Sequence, residues 1–227
     1  EDMAHRYIES MRSLQPEGPY YLCGSSFGGD VAYEIAQQLT KQGVGIALLG
    51  LIDVWAPGYC VYPTGTPRWR IQLNNLVNRV VNHSINFRGR NGREKWGYLC
   101  ETVNNVIQKG KDRLVGNTAV SKNIQQVRKA NQVAVDRYVH KPYGGEIVLF
   151  RAQKQPYGVL EKRDLGWSSW VLGDMQIHNI DGYHGECCRE PHVHTLAKSL
   201  IACLEDLHSQ AVVVEPDMVK VSTHFSG

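Results

Sequence analysis

Residues 20–36 read YYLCGSSFGGDVAYEIA. An apolar run of strand length meets a glycine and serine cluster, and directly after it Val31, Ile35 and Leu39, backed by Ala32 and Ala36, take up helical spacing. Within the cluster, Gly24-Ser25-Ser26-Phe27-Gly28 fits the pattern G-x-S-x-G. Between a strand and a helix that pattern is a nucleophile elbow, a sharp turn that presents its central serine. Ser26 is that serine, and Ser25 falls at the variable position. Strained backbone angles at the elbow require Gly24 and Gly28 to lack side chains, while Gly29 lets the helix approach the sheet. The backbone N–H of Phe27 opens the helix and is the first candidate donor of an oxyanion hole. A phosphate-binding loop is excluded, because neither G-x-G-x-x-G nor G-K-[ST] occurs here.

Working outward, Met3, Tyr7, Ile8, Met11 and Leu14 predict a first helix that QPEGP ends. IALLGLI at 46–52 is a continuous apolar run, typical of a strand covered on both faces. EIVLF (146–150) and MQIHNI (175–180) predict two more strands, and Val193 to Leu207 a strongly periodic last helix. Between about 57 and 120 the rhythm breaks. Trp69, Leu73, Leu76, Val77 and Val80 predict one amphipathic helix, and Trp96, Leu99, Val103, Val106 and Ile107 a second, across the polar NFRGRNGREK. A further helix carries Ile124, Val127, Ala134 and Tyr138. Strands alternating with helices imply an α/β fold with a mostly parallel sheet and helices on both faces, bearing a helical insertion. Residues 1–208 are expected to form one domain with 57–120 inserted, followed by a tail at 209–227 that gives no clear pattern.

Composition sets bounds. The chain has 227 residues with 42% hydrophobic and 21% charged content, which argues against disorder and fibrous repeats. A formal charge of +3 selects no partner, so neither nucleic acid nor a membrane is expected. The longest apolar stretch, interrupted by Asp53, is too short to span a bilayer. The acidic start EDMAHRYIES differs from a signal peptide. Six cysteines without C-x-x-C spacing make a metal site or disulfide framework improbable and point to the cytoplasm.

A serine nucleophile needs a base, and the base an orienter, in the order Ser, acid, His for an α/β-hydrolase. His184 lies in a glycine-flanked loop between the last strand and the last helix, where its ring can reach back over the strand ends. His178 lies within a strand, and His192 and His194 sit at the helix start. Asp53 ends IALLGLI at its carboxyl edge. Asp164 occupies the loop where many hydrolases carry the acid, and Asp181 is too near His184 in sequence. Spacing ranks Asp53 ahead of Asp164 and leaves both open.

Four blocks, PEGPYYLCGSSFGGDVAYEIAQQL, ALLGLIDVWAP, YGGEIVLFRAQKQP and GYHGECCREPHVHTLAKSL, resemble the type I thioesterase domains that end modular nonribosomal peptide and polyketide synthases. The resemblance runs from about residue 2 to residue 207. It implies an α/β-hydrolase fold with a helical lid, and a catalytic triad of Ser26, Asp53 and His184, which raises Asp53 above Asp164. It also implies an acyl or peptidyl carrier domain as partner, whose phosphopantetheine arm delivers the acyl thioester, with no cofactor of the chain's own. Release would follow by hydrolysis or macrocyclisation. A stand-alone serine esterase and a non-catalytic hydrolase-fold fragment are the competing readings.

Two features depart from that family. Residues 68–113 hold ten Lys or Arg against three Asp or Glu. That basic insertion is either a solvated lid face or a surface that receives the carrier domain, and reversing Arg88, Arg90 and Arg93 distinguishes the two. The chain also begins in a helix that follows several strands in the family. A four-stranded sheet would leave an edge open beside the nucleophile. The expectation is a carboxyl-terminal part of a longer polypeptide, with about 70 upstream residues completing the sheet and supplying the second oxyanion donor.

Overall fold

A computed structural model describes residues 1–59, 62, 63, 65–88, 92, 96, 100, 119–156 and 158–218. The chain divides into two compact units: residues 1–59, 141–155 and 162–227 form the first, and 60–140 with 156–161 the second.

The first unit is built on α1 (Asp2–Leu14), β1 (Tyr20–Ser25), α2 (Phe27–Lys41), β2 (Ile46–Ile52), β3 (Ile147–Lys154), β4 (Met175–Tyr183) and α5 (Val193–Met218). All four strands run parallel in the order β1-β2-β3-β4. The apolar runs are covered on both faces because alternate side chains serve different cores. Leu49, Leu51, Ile147 and Leu149 join Ala4, Ile8, Tyr33, Leu39 and Trp167 on the α1 and α2 side. Leu48, Val148, Phe150 and Ile180 join Leu196 and Cys203 of α5 on the other. A period of two in the strands is thereby matched to helical stripes on opposite faces.

Tyr33 fixes α2 to the returning chain. It is fully buried, and its hydroxyl donates to the carbonyls of Lys141 and Trp170, both at 2.9 Å. Gln37, one turn on, donates to the Lys141 carbonyl at 2.7 Å. β1 is an edge strand, and α1, β1 and α2 line an apolar groove of about 550 Å3 that includes Met3, Tyr7, Phe27 and Val31. The last helix continues to Met218, beyond the periodic segment that ends at Leu207.

The second unit contains α3 (Arg68–Arg88) and α4 (Ala119–Arg137). Most of the second predicted amphipathic helix, from Leu99 to Ile107, lies outside the described residues, as do Arg90 and Arg93. Among the described residues no helix is long and apolar enough to cross a membrane.

Candidate active site

β1 and β2 pair in register up to Ser25 opposite Ile52, so Ser26 and Asp53 each leave the sheet at the same level of neighbouring strands. That level is the carboxyl edge, where ligands of open parallel sheets bind. Both residues have left-handed backbone, Ser26 at φ 52° and Asp53 at φ 52°. Such conformations cost on the order of 1–3 kcal/mol each in residues other than glycine and persist only where surrounding contacts enforce them. At Asp53 the enforcing contact is a backbone bond from its N–H to the Phe150 carbonyl at 2.7 Å.

The elbow glycines divide into two kinds. A Cβ on Gly24 would lie 2.1 Å from the Gly28 carbonyl oxygen, and one on Gly29 would lie 2.4 Å from Cγ2 of Val54. Gly28 differs from the sequence expectation, because a Cβ there meets nothing within 4 Å. The crowding comes from the first turn of α2 folding back over Gly24, so it falls on the strand side of the elbow. Gly24→Ala is accordingly expected to destabilise the fold by about 3 kcal/mol or more, while Gly28→Ala stays within about 1 kcal/mol of the parent. Paired thermal melts of the two variants check this.

His184 follows the last residue of β4, and its N–H is held by the Lys154 carbonyl at the end of β3 at 2.9 Å. Its Nδ1 lies 2.7 Å from Oδ2 of Asp53. Its ring stacks on Trp55 with centroids 4.3 Å apart and planes 8° from parallel. The Asp53 side chain is only 3% exposed. Its oxygens are satisfied from several elements: Oδ1 accepts from the Ala152 N–H at 3.1 Å and from Gln155 Nε2 at 3.2 Å, and Oδ2 accepts from the Gly185 N–H at 3.0 Å. Burial raises the Asp53 pKa, but the His184 contact and charge and the N–H groups of Gly185 and Ala152 outweigh it, holding the carboxyl below its ordinary value. A carboxylate on Nδ1 keeps the proton on that nitrogen and leaves Nε2 as the basic face of the ring.

Asp164 is engaged elsewhere. It accepts from the N–H groups of Gly166 and Ser168, both at 3.1 Å, and from the Ser168 hydroxyl. These bonds stabilise the short 3-10 turn at Trp167–Ser169. Asp181 accepts from the Thr195 hydroxyl at 3.1 Å, and His178 contacts Cys203 Sγ at 3.4 Å. Of the predicted site residues, the structure brings Asp53 and His184 into contact, while no hydrogen bond joins Ser26 to His184 among the described residues. Hydrogen bonds of catalytic groups are often long without substrate. Ser26 is exposed, and Phe27 begins α2, whose first N–H groups have no intrahelical acceptor. The buried thiol of Cys187 does not compete as a nucleophile. Burial, then the charge of Asp53, push the Cys187 thiol up to about 12.

Two members of the site went unread in the sequence. Gln155 donates to Asp53 and to the Ala152 carbonyl and accepts from Trp55 Nε1 at 3.3 Å, so one side chain ties the carboxylate to the ring that flanks His184. Their only signal was position, Trp55 two residues after Asp53 and Gln155 just past β3. Gln155→Leu is expected to lower turnover about tenfold by loosening Asp53 and Trp55. A pH–rate profile separates this positioning role from simple destabilisation, because the apparent base pKa shifts only if the Asp53–His184 contact has changed.

A parallel sheet with helices on both faces and a strand-to-helix elbow at its carboxyl edge has the α/β-hydrolase fold. The Thioesterase domain family matches residues 1–204, and the chain belongs to that family. It is similar to malpinin synthetase of Mortierella alpina, 28% identical over 187 residues, which cover 81% of this chain and 2% of that protein. It is likewise similar to enterobactin synthase component F of Escherichia coli K12, 27% identical over 185 residues, 81% of this chain and 12% of that protein. Among solved structures it resembles the NocB thioesterase domain in covalent complex with a fluorophosphonate nocardicin G analogue. That likeness has a TM-score of 0.55 and 25% identity, covering 89% of this chain and 74% of that one. The chain thus spans a small fraction of the synthetases it matches. It is a thioesterase domain related to those of nonribosomal peptide and polyketide synthases.

Proposed function

We propose that this domain releases an acyl, peptidyl or polyketide chain from the phosphopantetheine arm of a carrier domain through an acyl-enzyme on Ser26. The observation that carries the reading is the Asp53 carboxylate 2.7 Å from Nδ1 of His184, at the sheet edge that also bears the strained Ser26. His184 Nε2 takes the Ser26 hydroxyl proton as Oγ attacks the thioester carbonyl. The tetrahedral oxyanion forms at the amino terminus of α2, where the Phe27 N–H is a donor. As the C–S bond breaks, His184 returns the proton to the departing thiolate, leaving a free thiol and an ester on Ser26. Water, or a hydroxyl or amine of the acyl chain, then gives its proton to His184 and attacks the ester; as the bond to Oγ breaks, His184 returns the proton to Ser26, yielding a free acid or a macrocycle and the free enzyme.

Two measurements test the reading. A fluorophosphonate probe should modify Ser26 alone, located by peptide mass spectrometry, and an acyl-pantetheine thioester should turn over faster than the matching oxygen ester. Absence of labelling on a folded chain would make the domain a non-catalytic scaffold. Labelling with a preference for simple oxygen esters would make it a general esterase.

A further inference from the structure

Trp55 is held from several directions. The backbone on both sides of it is pinned: the Val54 carbonyl accepts from Trp167 Nε1 at 2.8 Å, the Ala56 N–H donates to the Leu165 carbonyl at 3.0 Å, and the Pro57 carbonyl accepts from Trp170 Nε1 at 3.1 Å. Its own indole N–H is taken by Gln155, and Tyr59 lies beside it with ring centroids 6.5 Å apart. The indole so fixed lies flat on His184, 4.3 Å between centroids and 8° from parallel. One edge of the imidazole therefore belongs to Asp53 and one face to Trp55, while the His184 side chain keeps 27% of its surface exposed.

A parallel ring at this distance meets the negative face of the indole π system, the geometry that attracts a cation. Neutral imidazole gains less from it, because two neutral rings prefer offset or edge-to-face contact. Imidazolium gains more, and in acyl transfer it exists only while the ring carries a proton taken from the attacking group. The contact is thus stronger in the transition state than in the resting site, which is the condition for acceleration. Stacking also removes water from one face of the ring, which disfavours the charge. The Asp53 carboxylate and the exposed remainder of the ring offset that loss. Cation–π contacts are worth about twofold in equilibrium at exposed sites and about thirtyfold when desolvated, so a part-exposed ring lies between, at about tenfold. We propose that Trp55 is a positioning residue whose π face, held against His184, stabilises the imidazolium formed as the ring takes a proton from Ser26 and later from the second nucleophile. This inference rests on the reading of His184 as the base for Ser26 given above.

The test replaces Trp55 alone, in the whole chain, by a series of fluorinated tryptophans introduced site-specifically. Each added fluorine weakens the negative face and leaves the shape of the ring almost unchanged. On an acyl-pantetheine thioester kcat should fall stepwise, by about tenfold from tryptophan to the most fluorinated ring, with KM and melting temperature unchanged. Trp55→Phe, which keeps a weaker face, should fall within the series, and Trp55→Leu, which has none, at or below its lower end. A second readout needs no turnover. NMR titration of carbon-13-labelled histidines, with the His184 signal assigned by its loss in His184→Gln, should show the His184 midpoint moving to lower pH with each fluorine. A kcat that stays flat along the series while Trp55→Leu loses activity would reduce Trp55 to packing and overturns the proposal, as does a His184 midpoint that does not move. A loss carried by KM would make Trp55 a wall of the acyl site and equally overturns it. A midpoint that moves in a parent chain that neither turns over nor labels at Ser26 would reject the role of Ser26 while upholding the contact of Trp55 with the imidazolium.

Discussion

Ser26→Ala is expected to eliminate fluorophosphonate labelling and to lower kcat on a pantetheine thioester by more than about a thousandfold. KM should change little, because Oγ contributes to the reacting centre and not to binding of the acyl chain. Thermal stability should stay near that of the parent: Ser26 is exposed, its hydroxyl serves no structural bond among the described residues, and alanine suffers the same strain at φ 52°. Ser26→Gly, equally inactive, should gain about 1 kcal/mol, because glycine adopts that conformation at little cost. A Ser26→Ala enzyme with near-normal turnover and labelling at another residue would move the nucleophile elsewhere.

Asp53→Asn is expected to lower kcat about 10³- to 10⁴-fold. Asparagine cannot accept at both oxygens, so its amide N–H faces either the Gly185 N–H and His184 or the Ala152 N–H, and Nδ1 of His184 loses the carboxylate that holds its proton. Asp164→Asn, whose partners are Gly166 and Ser168, should leave kcat unchanged. The reverse pattern of losses would transfer the role of acid to Asp164. The same substitution has a pH signature in stability. The Asp53 pKa lies below its ordinary 3.8 in the fold, so the ionised form favours the native state. Its contribution is complete above the unfolded value and is lost as pH falls through the lowered folded value. Melting temperatures of parent and Asp53→Asn should therefore differ most near neutral pH and converge below about pH 4. A difference that stays constant down to acid pH would show that the carboxylate is not stabilised by its surroundings.

The local chemistry of YYLCGSSFGGD determined much of this protein. A strand, an elbow and a helix within 22 residues can be read from apolar periodicity and glycine placement, since those depend on neighbours in the chain. The four strands and their parallel arrangement followed for the same reason: continuous apolar runs joined by long connections admit few other solutions. Spacing ranked Asp53 ahead of Asp164 without deciding between them and the choice rested on the family blocks, whereas in the fold the contact itself depends on β3 and β4 running on together beyond the end of β2, so that Ala152 and the loop after β4 close over Asp53. That register brings Gly185, 132 positions from Asp53 in the chain, to its Oδ2. Gln155 and Trp55 became members of the site only through this convergence. Gly28 was misjudged for the opposite reason: collision at an elbow is a matter of where the first helical turn passes, and it passes over Gly24. On α3 the apolar row was legible as a row, but periodicity reports only that a stripe exists. That Asn74 is buried against Gly158 while Trp69, Leu73, Leu76 and Val80 stay exposed was decided in three dimensions, by segments far apart in the chain.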